Sequence, residues 1–175
     1  MVVSRVRAFA VVGVLIVAAL IVASMAIARD RQPHNIALGD CRRGDVPVNA
    51  KLPASARDVR VNILDTSGRD GAAGVAHDFR NRRFDVVATG DENPADGGVV
   101  IRYGPKALGG AWWVRAYFLD RAVARFDPTR TDDVVDVLVG PEPTTMGTEI
   151  EAKQALAQMG GPKLPTGTCD ARTLR

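Results

Sequence analysis

The most distinctive hydrophobic pattern in the chain is an uncharged run over residues 8–28, which contains 21 consecutive residues without a charge. An apolar stretch of about 20 residues is long enough to cross a bilayer as one helix. Arg5 and Arg7 precede the run, and Arg29 follows it. The pattern predicts a transmembrane anchor at 8–28 behind a cytoplasmic tail at 1–7, with the rest of the chain outside the cytoplasm.

A cleaved secretory signal is the alternative for the same run. Ala26, Ile27 and Ala28 fit the small-x-small pattern that precedes a cleavage site. The apolar core of a signal peptide is about 7–15 residues long, so the length of this run favours a retained anchor. Both interpretations place the remainder of the chain beyond the membrane if the N-terminus stays in the cytoplasm, an orientation that the basic residues on both flanks set only weakly.

Residues 29–57 lack any sustained apolar period. Pro33, Pro47 and Pro53 interrupt this segment, and proline breaks both helices and central strands. The pattern predicts a linker that separates a folded domain from the membrane.

Regular alternation begins near Val59, where apolar and polar residues alternate as far as Ile63, as in a strand with one buried face. The apolar positions Ala72, Val75, Ala76 and Phe79 then follow the spacing of an amphipathic helix. The same reasoning predicts further strands at 84–89, 99–103, 122–126 and 134–139, and helices at 104–119 and 148–159.

The predicted elements follow one another in the order strand, helix, strand, strand, helix, strand, strand, helix. This order predicts the fold class. It indicates an α/β domain of the two-layer α+β kind over residues 58–160, with helices packed on a mixed sheet of four to five strands. The fold class is thus a two-layer domain preceded by one transmembrane helix. Residues 161–175 are predicted to be an irregular C-terminal tail.

The chain has two cysteines, Cys41 and Cys169. An even number of cysteines behind an export segment predicts a disulfide between them. The alternative is a pair of free thiols in a cytoplasmic domain. Neither cysteine belongs to a CxxC motif or lies near a pair of histidines, so no metal site is predicted.

The charges beyond residue 28 nearly balance. All 20 acidic residues and 21 of the 23 Lys and Arg residues lie there, which gives a net charge of about +1. Positive and negative residues are interspersed, as on a solvated surface. The balance predicts no nucleic-acid partner.

We find no catalytic constellation in the sequence. His34 lies in the predicted linker, and His77 lies on the polar side of the first helix. Nucleophilic catalysis needs a nucleophile and an orienting group beside such a base, and the sequence places neither. We therefore predict a protein that is not an enzyme, with no catalytic residues and no cofactor.

Two groups of residues are candidates for binding. Ser67, Gly68 and Arg69 lie in a loop before a helix, where free backbone N–H groups can hold an anion. The alternative for this loop is helix capping by Asp65 and Asp70.

The second candidate group is the pair Trp112 and Trp113 on the second predicted helix. Neighbouring residues differ by about 100° around a helix axis, so the two rings do not point in one direction. An exposed tryptophan is an anchor for a partner or a sugar ring. The alternative is that both rings are buried at the seam between helix and sheet.

The segment from Val59 to Gly140 resembles the LytR C-terminal domain family. The family pattern begins with a hydrophobic strand, a polar turn and a helix with small residues at its start. An aromatic residue then begins the next strand. Later in the pattern come a strand that ends in Tyr-Gly and a valine-rich strand that precedes a glycine. The matching positions are 61–64, 65–68, 71–73, 82–84, 100–105 and 135–140. Asp65 and Thr66 depart from it, because the family usually has Asn and Gly there.

The resemblance implies an accessory module of the cell envelope. In the family this domain often follows a LytR-CpsA-Psr catalytic domain that attaches glycopolymers to peptidoglycan. The chain has no room for such a domain, so the resemblance implies a membrane-anchored protein that supports envelope integrity by binding a cell-wall glycopolymer or an envelope protein. The alternatives are a transferase or hydrolase acting on wall glycopolymer, and a structural subunit of a membrane assembly.

Overall fold

The computed structural model describes residues 13, 16–22, 41–69, 71–94, 97–142 and 145–174. The chain divides into two compact units, Met1–Leu38 and Gly39–Arg175. In the first unit, residues 13 and 16–22 are helical, and the rest of the predicted anchor at 8–28 lies outside the described residues, as does the predicted tail at 1–7. Within the described ranges, no helix combines the length and apolar character that crossing a membrane requires.

The second unit alternates strands and helices as the hydrophobic pattern predicts. Its α-helices are α1 (Ala72–Asn81), α2 (Leu108–Tyr117) and α3 (Glu149–Met159), and short 3-10 helices cover Ala56–Asp58 and Ala171–Leu174. Its strands are β1 (Val46–Val48), β2 (Arg60–Asp65), β3 (Asp85–Asp91), β4 (Val99–Tyr103), β5 (Val123–Phe126), β6 (Val135–Val139) and β7 (Thr168–Asp170).

Five of these strands form one mixed sheet in the order β3-β2-β6-β4-β5. Strand β2 runs parallel to β3 and β6, whereas β4 runs parallel to β5 and antiparallel to β6. Both parallel pairs that are consecutive in sequence, β2–β3 and β4–β5, are joined through a helix, as parallel connections require. The predicted mixed sheet of four to five strands is confirmed.

One face of the sheet supplies the hydrophobic core. Val61, Ile63, Ile101, Val135 and Val137 alternate along β2, β4 and β6 and are fully buried. Their side chains form one cluster with apolar residues of α1 and α2. Because successive strand residues point to opposite faces, the polar residues between them lie on the other side of the sheet.

The second half of the predicted linker is folded, which corrects the expectation for residues 46–57. Strand β1 pairs in parallel with β7, and Val48 is fully buried. The following segment lies so close to α2 that a Cβ atom on Gly109 would overlap the carbonyl oxygen of Lys51. A three-residue strand is too short to show a period in sequence, and its partner is distant along the chain.

The predicted C-terminal tail is also partly regular, since it contains β7 and a 3-10 helix. Strand β7 pairs with β1, which is distant in sequence. A local hydrophobic pattern therefore predicts neither strand. The expectation of an irregular segment over 161–175 is therefore wrong for residues 168–174.

Helix α2 is shorter than the predicted span of 104–119. Gly104 and Pro105 form a turn before it, in which Gly104 accepts a hydrogen bond from the Ala107 N–H and Pro105 accepts one from the Asn49 N–H. The Pro105 carbonyl is therefore bonded to Asn49, in the segment after β1, and not to an N–H group of a longer helix. At the other end, Leu119 and Asp120 have φ angles of 53° and 63°, which stops the helix.

Candidate functional site

A groove of about 270 Å³ in the second unit is lined by several charged side chains. We call it the basic groove. Its charged lining residues are Arg57, Arg82, Arg83, Lys153 and Glu149, and Trp113 and Tyr117 contribute its aromatic residues. Four cations and one anion give this small region a formal charge of +3.

The aromatic residues fix the floor of the basic groove. The rings of Trp113 and Tyr117 stack with centroids 6.1 Å apart. The Trp113 Nε1–H donates to the carbonyl oxygen of Pro53 at 2.8 Å, which holds the segment before Arg57 against α2. Both residues are more than nine-tenths buried, so neither ring offers an open face for stacking. Burial raises the pKa of Tyr117, and its phenol therefore remains neutral at physiological pH.

One wall of the groove is the 3-10 helix Ala56–Asp58. Ser55 begins this helix, and its N–H and hydroxyl both donate to an oxygen of Asp58 at 3.1 Å. This reciprocal capping satisfies donors at the helix start. It also fixes the turn that carries Arg57 on the groove wall.

Arg82 is a structural member of the opposite wall. Its Nε donates to the Gly147 carbonyl at 3.0 Å, and its Nη1 donates to the Asp78 carbonyl at 3.2 Å. These bonds tie the C-terminal end of α1 to the segment that precedes α3. The guanidinium is therefore already occupied by the protein itself.

Arg57 and Arg83 are the two arginines of the groove that take part in no salt bridge of the described residues, although the charge of Arg83 helps to lower the pKa of Glu149. Both side chains are exposed, and neither forms a salt bridge with any other described residue. Arg83 follows α1 with a φ of 69°, in the left-handed region that ends the helix. The two guanidinium groups are thus available to an external ligand.

Lys153 is paired with Glu149 one helical turn earlier, with their charged atoms 2.7 Å apart. The hydrogen bond and attraction raise the pKa of Lys153 and lower that of Glu149. Both side chains are exposed. The pair adds no net charge, so the field of the groove comes from the arginines.

The loop with Ser67, Gly68 and Arg69 does not line the basic groove. The Asp65 carboxylate occupies it, accepting from the Ser67 N–H at 2.6 Å and from the Gly71 N–H at 2.5 Å. Two backbone donors of the loop are therefore used by a side chain of the protein, and the Arg69 N–H donates to the Ser67 hydroxyl. The residue at the N-cap position is Gly71, whose N–H is one of the donors to Asp65, and Asp70 lies outside the described residues.

We expect Asp65→Asn to lower the free energy of unfolding at pH 7 by about 1–2 kcal/mol, because the loop loses a charged acceptor. The Ser67 hydroxyl lowers the pKa of Asp65 most strongly; burial opposes this effect, and backbone N–H groups add to it. A carboxyl with a lowered folded-state pKa stabilises the protein above its unfolded-state pKa of about 3.9.

The stability difference between wild type and Asp65→Asn should therefore be constant near neutrality and shrink as pH falls below about 4. Urea unfolding at a series of pH values measures it. Asp91→Asn, at an exposed position, is the control and should change stability by less than about 0.5 kcal/mol. A difference that does not shrink as pH falls below about 4 would contradict this assignment.

Neither tryptophan is an exposed anchor, which corrects the candidate role of Trp112 and Trp113. Each is about 6% exposed. The Trp112 Nε1–H donates to the Gly160 carbonyl at 2.8 Å, and the Arg115 guanidinium lies 5.4 Å from the centre of its ring. Helix α2 is covered on nearly all sides, so adjacent positions on it are both buried.

A second polar cluster lies on the sheet face opposite the core. Its centre is Asp136, which is only 5% exposed. Its carboxylate accepts from Asn62 Nδ2 at 3.0 Å, Arg102 Nε at 3.1 Å and Arg130 Nη1 at 2.5 Å. Arg102 also pairs with Glu92 at 3.0 Å and Arg130 with Asp132 at 2.9 Å, so each cation has carboxylate partners and we assign this cluster to stability rather than to binding.

The predicted disulfide is confirmed. Cys41 and Cys169 are bonded, with their Cα atoms 5.2 Å apart. The bond lies beside the β1–β7 pair and joins residues that are 128 positions apart in sequence.

The described residues contain no group of three or more His, Cys, Asp or Glu side chains placed to hold a metal ion. His77 is exposed, and its Nδ1 lies 3.1 Å from the Asn81 side-chain nitrogen. The other histidine, His34, lies outside the described residues.

Sequence reasoning missed the basic groove because its residues come from three separate elements. Arg57 lies in the segment predicted to be a linker, Arg83 follows α1, and Lys153 lies on α3. The run Arg80, Arg82 and Arg83 is the one local signal, but a cationic last turn also suits the helix dipole.

Comparison with known proteins gives one family match. Residues 58–142 match the model of the LytR C-terminal domain, described as LytR cell envelope-related transcriptional attenuator. The search of curated protein sequences found no significant match. Among solved structures, the chain is similar to the soluble domain of a conserved hypothetical secreted protein, an Rv2700 ortholog, from Mycobacterium marinum. The two share 25% identity with a TM-score of 0.48, over 65% of this chain and 84% of that one.

The matched segment covers the region that the sequence motifs indicated, from β2 through β6. The resemblance to a cell-envelope-related domain is thereby confirmed for this part of the chain. Arg57 and Lys153, on two walls of the basic groove, lie outside the matched residues.

Proposed function

We propose that this chain is a membrane-anchored protein of the cell envelope whose folded unit binds an envelope component without transforming it. The component is a cell-wall glycopolymer or an envelope protein partner. The basic groove carries this proposal, because it presents two exposed arginines without a salt-bridge partner among the described residues in one concavity. The match of residues 58–142 to a cell-envelope-related domain supports the location.

The uncharged run at 8–28 supports the anchor, and a disulfide supports a compartment outside the cytoplasm. With a single anchor and a cysteine pair around the domain, the chain resembles the actinobacterial envelope integrity protein Cei. We propose on this basis that it supports envelope integrity from the outer side of the cell membrane.

Retention of the full-length chain on purified cell-wall sacculi, in detergent micelles and at physiological ionic strength, tests the binding. We expect the folded chain to sediment with the sacculi. A carrier protein of similar size and charge provides the background. Recovery of the chain in the supernatant at the level of that background would count against the glycopolymer form of the proposal.

The enzyme alternative predicts turnover rather than retention. It is tested by incubating the full chain with lipid-linked wall precursors and sacculi, and following transfer or hydrolysis by mass spectrometry. We expect no product above the level of the boiled protein. Product that depends on the folded chain would replace the binding function by a catalytic one.

A further inference from the structure

We infer that the basic groove recognises the oxyanion groups of an acidic glycopolymer, with Arg57 and Arg83 as the recognition cations. This inference rests on the proposed function and names the chemistry of its ligand. The groups are phosphate or carboxylate, since both present paired oxygens to a guanidinium. A neutral polysaccharide would leave both arginines without a partner.

The arginines of the groove differ in whether they are bonded to the protein itself. This difference separates the arginine that stabilises the fold from the two that can bind a ligand. Arg82 is committed to backbone carbonyls, including that of Gly147 at 3.0 Å. Arg57 and Arg83 have no salt-bridge partner among the described residues and are exposed. They come from different elements, so a ligand held between them would contact two walls of the groove.

The aromatic floor favours charge recognition over ring stacking. Sugar rings bind proteins by lying on an exposed aromatic face, but Trp113 and Tyr117 are almost wholly buried. A glycopolymer in the groove would therefore contact the guanidinium groups of Arg57 and Arg83, and would not stack on an aromatic ring. The groove volume of about 270 Å³ suits a charged group and its adjoining residue, and not a long segment of polymer.

Glu149 acts against an anionic ligand in the same groove. It lies 2.7 Å from Lys153 and compensates that charge. Removing the negative charge by Glu149→Gln leaves Lys153 available and removes a repulsion. This variant should therefore bind more tightly, an effect opposite in direction to loss of an arginine.

The test compares four full-length proteins on native sacculi: wild type, the double variant Arg57→Gln/Arg83→Gln, Glu149→Gln, and the control Arg80→Gln/Lys163→Gln. The control removes the same charge from exposed positions that do not line the groove. Gln replaces each charged group by a neutral polar one, and unfolding midpoints establish that each variant is folded. We expect the groove double variant to bind about tenfold more weakly, the control within about twofold of wild type, and Glu149→Gln more tightly.

Hydrofluoric acid treatment of the sacculi separates the two sources of oxyanion, because it cleaves phosphodiesters and leaves carboxylates. Loss of retention after treatment assigns the ligand as a phosphate-bearing polymer, and unchanged retention assigns it as a carboxylate-bearing one. Inorganic phosphate added as a competitor should displace the wild type in the first case.

Retention that is equal for the folded groove variant and the control would overturn the inference while leaving the proposed function standing. Failure of the wild type to bind any sacculi would overturn the inference together with the glycopolymer form of the proposed function, and would leave the envelope-protein form standing. A third arm uses vesicles of phosphatidylglycerol. Arginine-dependent binding to these vesicles, without binding to sacculi, would assign the groove to a lipid headgroup and overturn the glycopolymer ligand.

Discussion

Asp136→Ala is expected to lower the free energy of unfolding by about 3–5 kcal/mol. Asp136 is the shared acceptor of a nearly buried polar cluster, with Arg130 Nη1 at 2.5 Å and Arg102 Nη2 at 3.0 Å. Removing the carboxylate leaves Arg130, whose side chain is only 14% exposed, with Asp132 as its remaining carboxylate partner, and Arg102 with Glu92. Urea unfolding followed by circular dichroism measures the change.

Asp133→Ala is the matched control for Asp136→Ala. It removes the same side chain from a surface pair with Arg60, in which the atoms are equally close at 2.7 Å but both side chains are about half exposed. Such pairs contribute about 0–1 kcal/mol. Equal effects of the two substitutions would show that burial does not decide the strength of the Asp136 cluster.

The double variant Cys41→Ser/Cys169→Ser is expected to lower the free energy of unfolding by about 5 kcal/mol in the chain-entropy treatment. The bond closes a loop that spans 128 positions, and this length strongly restricts the unfolded chain. Because domains of this size have only about 5–15 kcal/mol of net stability, the loss should move the unfolding midpoint far toward lower urea concentrations.

The reduced wild type supplies an independent measurement of the same quantity. Dithiothreitol should lower the midpoint of the wild type to that of the double serine variant and leave the variant itself unchanged. A wild type whose midpoint does not move on complete reduction would contradict the expected contribution of the bond.

The periodic part of the fold could be predicted from sequence because each element there shows its own pattern. The alternation along β2 places Val61 and Ile63 in the core, and the helical spacing of Ala72, Ala76 and Phe79 gives the buried face of α1. Strand β4 has the predicted bounds Val99–Tyr103. The parallel pairing of β2 with β3 follows from the helix that connects them.

Other features depend on contacts that local patterns do not contain. Strands β1 and β7 have three residues each, and each is hydrogen-bonded to the other in a two-stranded sheet. The burial of both tryptophans follows from the segment near Pro53 and from Gly160, which cover α2 from two sides. The basic groove likewise needs three elements to meet, so its arginines carry no signal as isolated positions.

The disulfide beside the β1–β7 pair also determines how a mechanical load travels through the molecule. A pull on the chain upstream of Cys41 reaches a covalent bond to Cys169 before it reaches the five-stranded sheet. A force applied between the chain before Cys41 and the chain after Cys169 is therefore carried by the disulfide, and it does not load the hydrogen bonds between β2, β6 and β4. The residues of the basic groove lie between the two cysteines in sequence and are therefore shielded from such a load.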